Sequence, residues 1–89
     1  MAIEDYTAAC DAIRATGLIL LVARYEHEVM GHWLVEFSGA GGVARLAYDA
    51  RDRTFALERA TAWGGWKAEW VRKGTDAFTG ALRDALAAV

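Results

Sequence analysis

Eighty-nine residues, 55% hydrophobic and 25% charged, make a single globular domain spanning 1–89 rather than a disordered chain. A formal charge of −2 with a pI near 5.6 gives no electrostatic basis for binding duplex nucleic acid or an anionic membrane, which both need clustered positive charge. The lone cysteine, Cys10, excludes an intramolecular disulfide and a cysteine-based zinc site, and it fits a reducing compartment.

Residues 3–16 read as an amphipathic helix. Ile3, Tyr6, Cys10 and Ile13 recur at three- and four-residue steps, with Glu4 and Asp5 at the positive end of the helix dipole. Gly17 suits the left-handed position just past the helix. The period then changes to two. LILLVARYEHE (18–28), HWLVEF (32–37), GVARLAYD (42–49) and TFALER (54–59) have the length and parity of strands, and short Gly- and Asp-bearing breaks separate them. Connections this short favour antiparallel hairpins, because a parallel pairing needs a crossover of a dozen or more residues. LILLVA (18–23), the longest apolar run, is far below the roughly 20 residues of a membrane span. The start MAIEDY is acidic where a signal peptide is basic, so a cytoplasmic location is expected.

AWGGWKAEW (62–70) carries three of the four tryptophans. Their spacing would line one helix face, but Gly64-Gly65 inside a helix would cost roughly 2 kcal/mol. A turn at 61–65 and a strand at 66–72 accommodate the glycines, and regular alternation then puts Trp66, Ala68 and Trp70 on one face with Lys67 and Glu69 opposite. From Thr75 the apolar stripe of Phe78, Leu82, Ala85, Leu86 and Val89 predicts a closing helix, with Thr75 or Gly74 as N-cap and Gly80 at a point of close packing. The expected fold class is α+β, an antiparallel meander of four to five strands flanked by two helices on one face, α-β-β-β-β-β-α in order. Trp33, Val35, Phe37, Leu46, Tyr48, Phe55, Leu57, Trp66 and Trp70 would fill its apolar face, leaving Leu34, Arg45, Ala47, Ala56, Lys67 and Glu69 on the open one.

Few residues point to chemistry. SGAGG (38–42) has the glycine density of a phosphate loop, but a strand follows it and not a helix, so a hairpin turn is expected. Glu26, His27, Glu28 and His32 are able to ligate zinc, yet no further ligand set accompanies them, and no metal or cofactor is expected. Cys10 lies on the apolar stripe of the first helix, and Ser38, the only serine, lies in a turn; neither has a base beside it in sequence. The chain is therefore expected not to be an enzyme. Trp63, Lys67, Arg72 and Lys73 would suit a single-strand stacking platform, and the element order partly resembles the double-stranded-RNA-binding domain. KGTDAF (73–78) supplies only Lys73 where that family has a lysine-rich helix entry, and the extra strand and acidic balance also depart from it.

Trp63, beside the glycines, is expected to be at least partly exposed. Arg51 and Arg53 lie at the hairpin tip DARDR (49–53). Arginine and tryptophan are enriched at interface hot spots, so Trp63, Arg51 and Arg53 are the candidate partner-binding residues, with Trp63 ranked first. In a meander their two turns fall at opposite ends of the sheet. In size, mild acidity and element order the whole chain resembles bacterial immunity proteins of toxin–immunity pairs and small phage-encoded inhibitors. No motif carries the likeness, so it transfers no residue. It implies a non-enzymatic domain that neutralises another protein. The alternatives are a small-molecule module with a tryptophan-lined pocket, and a self-associating subunit, a homodimer through a sheet edge or the uncovered face.

Overall fold

The computed structural model describes residues 2–26 and 31–89. Helix α1 (Ala2–Ala15) leads into strands β1 (Ile19–Glu26), β2 (His32–Gly39), β3 (Gly42–Asp49), β4 (Thr54–Ala60) and β5 (Trp66–Lys73). A 3₁₀ turn (Thr75–Ala77) and helix α2 (Phe78–Ala87) close the chain. The strands form one sheet in the order β1-β2-β3-β4-β5, every neighbour antiparallel. This is the α+β meander that the alternation predicts. No helix among the described residues is long and apolar enough to cross a membrane.

Both helices lie on one face. Trp33, Val35 and Phe37 of β2, Ala44, Leu46 and Tyr48 of β3, and Phe55 and Leu57 of β4 are buried with Ala9, Cys10 and Ile13 of α1 and Ala81 and Ala85 of α2. Trp33 sits at the centre, its ring 5.9 to 6.3 Å from those of Tyr6, Tyr48, Phe55 and Phe78. In so short a chain these rings supply much of the core, since an aromatic side chain buries on the order of 200 Å².

The prediction that Trp66 and Trp70 share a face is overturned by a β-bulge. Leu57 pairs with Trp70 but Glu58 pairs with Ala68, so Glu69 is an extra residue and the parity of β5 flips there. Trp70 stays on the helix side, packed against the core. Trp66 pairs with Ala60 on the open face, where the Arg45 guanidinium lies 4.3 Å from its ring centroid and Arg45 Nε donates to Glu58 at 2.5 Å. Lys67 and Glu69 leave the open face for the same reason. Lys67 pairs with Arg59 on the helix side, and Glu69 accepts from Arg59 Nε. Leu34, Arg45, Ala47 and Ala56 keep their predicted positions there.

Gly74, not Thr75, opens the final helical segment, at φ 105° and without a side-chain cap, and Ala77 precedes α2. The close packing expected at Gly80 is absent. A Cβ there would meet only the ends of Arg83 and Arg72, at 3.7 and 3.9 Å, which is ordinary contact. Gly80→Ala should therefore stabilise the domain by about 0.5–1 kcal/mol, raising the melting temperature by roughly 2–8 °C in a domain of this size. A thermal melt checks it, and a lowered midpoint would mean that the helix is packed more tightly than its contacts imply.

Candidate functional site

Trp63 crowns a loop that closes on itself. The Thr61 N–H donates to the Gly65 carbonyl at 2.9 Å, and the Gly64 N–H donates to the Thr61 carbonyl at 3.2 Å. The Gly65 N–H donates back to Thr61 Oγ1 at 3.1 Å. Gly64 adopts φ 84°, which a side chain would resist. The backbone on either side of the indole is thereby pinned while the ring itself is 95% exposed. The first-ranked candidate from the sequence is the most exposed large apolar side chain described in the molecule.

Below the loop, Arg59 ties three elements together. Its Nε donates to Glu69, Nη1 to the Gly41 carbonyl at 3.2 Å, and Nη2 to the Ala88 carbonyl at 2.7 Å. The Gly41 N–H also donates to the Val89 carbonyl at 2.9 Å. The SGAGG stretch makes the expected hairpin, but the turn itself is only Ala40-Gly41. Ser38 and Gly39 end β2, paired with Val43 and Gly42 of β3, so Ser38 lies in a strand and not in the turn expected for it. Gly39 and Gly41 lie against Val89. A Cβ on Gly39 would stand 2.7 Å from the Val89 carbonyl oxygen. An open hollow of about 500 Å³ lies between Arg59, Thr61, Lys67 and Trp70, and takes in Trp70 alone of the tryptophans. Trp33 fills the core, and Trp66 and Trp70 stand on opposite faces, so the tryptophans do not converge on one pocket.

Beside Trp70 the Arg72 guanidinium stacks 4.1 Å from the ring centroid and bonds Asp84 of α2 at 2.7 Å. That hydrogen bond, with a second from Arg83, holds the Asp84 carboxyl below its ordinary range.

Arg51 and Arg53 occupy the β3–β4 turn, at the end of the sheet away from Trp63, as the meander requires. Asp49 Oδ1 accepts the Arg51 N–H at 2.9 Å, and His32 Nδ1 accepts the Ala50 N–H at 2.8 Å. Arg53 has φ 56°, the one non-glycine residue described with positive φ, and its carbonyl accepts the Gly74 N–H at 2.9 Å. A left-handed arginine is strained by roughly 1–2 kcal/mol. Replacing it with glycine loosens the unfolded chain and returns part of that gain. Arg53→Gly should accordingly raise stability by about 0.5–1 kcal/mol, read as a higher urea midpoint. A lower midpoint would show that the arginine side chain holds the turn.

The zinc-capable set does not assemble into a described site. His27 and Glu28 lie outside the described residues, Glu26 pairs with His32 across β1–β2, and Nδ1 of His32 is taken by the turn. Among the described residues no three His, Cys, Asp or Glu side chains gather to hold a metal ion. Cys10 is buried, and desolvation pushes its thiol above the ordinary value, with a smaller opposing contribution from the Tyr6 hydroxyl. Sequence inspection missed Arg59 and Thr61. The signal for Thr61 was available, since a hydroxyl four residues before a glycine commonly bonds turn backbone. Arg59 gave none, because its partners come from three distant segments.

Fold and site together define a small α+β domain with one clamped, aromatic-tipped hairpin. Compared with known proteins, the chain matches no family model, no curated protein and no solved structure.

Proposed function

We propose that the domain is a non-enzymatic recognition module that binds another protein, in the manner of an inhibitor or immunity protein, with Trp63 as its principal anchor. The observation carrying this proposal is an indole 95% exposed on a loop whose backbone is fixed by its own hydrogen bonds. An exposed tryptophan adds little to folding, while a rigid one loses little entropy when it is buried by a partner. Arg51 and Arg53, at the opposite end, would serve a second and weaker patch. The single buried cysteine supports a cytoplasmic setting. Affinity capture from the native host would identify the partner, and calorimetry on the purified pair, with and without Trp63→Ala, tests the anchor. Equal affinities would remove it.

A further inference from the structure

The two edges of the sheet are built differently. On β5 the side chains include Lys67, Glu69, Arg72 and Lys73, charges of the kind that keep an edge strand in water. On β1 no charge occurs between Leu18 and Ala23, and Ile19 and Leu21 are 62% and 50% exposed. Each edge carries one bulge, at Leu21 and at Glu69, so the bulges do not distinguish them. Charge does: β5 carries it along its length, whereas β1 carries it only at Arg24 and Glu26, past its apolar stretch.

We propose that β1 pairs antiparallel with β1 of a second copy about a two-fold axis, joining two five-stranded sheets into one of ten. The strand is its own complement. Arg24 and Glu26 are its only charges, so like charges oppose only when the axis falls at one of those two residues. An axis at Val22 engages residues 19–25 of both copies, setting Ile19 against Tyr25, Leu21 against Ala23 and Val22 against itself, with Arg24 facing Leu20 and no charge facing a charge. Pairing β1 with the partner's β5 would set the apolar stretch against a strand bearing Lys67, Glu69, Arg72 and Lys73 and would generate an open filament, whereas the two-fold closes. Eight residues of strand run about 26 Å, and the molecule is 23 Å across its smallest dimension. The edge with the flank of α1 therefore offers on the order of 500 Å² per copy, near the roughly 1,000 Å² total that a specific interface needs.

The proposal does not depend on Trp63, which lies between β4 and β5. Sedimentation equilibrium across the micromolar range should show particles of twice the 9.7 kDa chain mass. Leu21→Lys should weaken association by roughly tenfold or more with an unchanged circular dichroism spectrum. Should that variant fail to fold, Ile19→Lys reads the same edge. Val71→Lys, at a 62% exposed position on β5, should leave the dimer intact, as should Trp63→Ala. A wild-type chain that stays monomeric throughout, a Leu21→Lys variant that associates as tightly as wild type, or dissociation by Val71→Lys would each overturn the β1 pairing. None of these outcomes touches the Trp63 anchor, which is read by partner affinity.

Discussion

Trp33→Ala should leave the domain unfolded, or melting far below the wild type. Trp33 is 2% exposed and its ring contacts aromatic side chains from α1, β3, β4 and α2. Truncating a buried tryptophan to alanine costs about 3–5 kcal/mol, against a total stability of roughly 4–13 kcal/mol for a chain of this length. The indole nitrogen is buried with no hydrogen-bond partner among the described residues, so what holds the ring is packing. Trp33→Phe gives up ring volume but also removes an orphaned donor, whose burial costs about 1–3 kcal/mol. It should therefore retain most of the stability, with a loss below about 2 kcal/mol. Trp70→Ala, at a half-buried edge position, should cost about 2 kcal/mol. Thermal melts and near-ultraviolet circular dichroism rank the three. A Trp33→Ala protein melting within a few degrees of wild type would remove Trp33 from the centre of the core.

Period and turn residues were enough to give the order of elements, and β3 matches its predicted bounds, Gly42–Asp49, at both ends. Alternation also placed Trp33, Val35 and Phe37 inside, because β2 is regular and central. It failed on β5, where one inserted residue, Glu69, moves Trp66 to the open face and Lys67 to the other. A bulge leaves no mark in composition. It is set by what each face finds to contact, here Arg45 over Trp66 on one side and Arg59 with Glu69 on the other. The site divides the same way. Trp63 was legible because glycines beside a large apolar residue leave little to cover it. Arg53 could be assigned to its turn, but not its left-handed backbone, since arginine is not a residue from which such a conformation is expected. Of the two N-cap residues the sequence offered, Gly74 opens the helical segment, at φ 105°. What the sequence did not show is that the first turn winds as 3₁₀, so that α2 itself starts after Ala77.

Trp63→Ala should keep the fold and lose the partner. With the ring 95% exposed, its removal should alter stability by less than about 0.5 kcal/mol. A hot-spot tryptophan contributes at least about 2 kcal/mol to binding, so affinity should fall about thirtyfold or more. The loop geometry adds a second, separable expectation. Thr61 Oγ1 takes the Gly65 N–H and can donate to its carbonyl, at 3.1 and 3.3 Å. Thr61→Val keeps the indole but frees the loop that presents it, and a free loop must be ordered again on binding. Losing one such hydrogen bond is worth about 1 kcal/mol, or roughly fivefold in affinity, so Thr61→Val should fall between wild type and Trp63→Ala. Calorimetry on all three proteins against the captured partner, with melts run in parallel, separates anchor from clamp. If Thr61→Val binds like wild type while Trp63→Ala does not, the ring is the anchor and the clamp contributes nothing. If Trp63→Ala binds like wild type, the recognition surface lies elsewhere, and the Arg51–Arg53 turn is the next place to substitute.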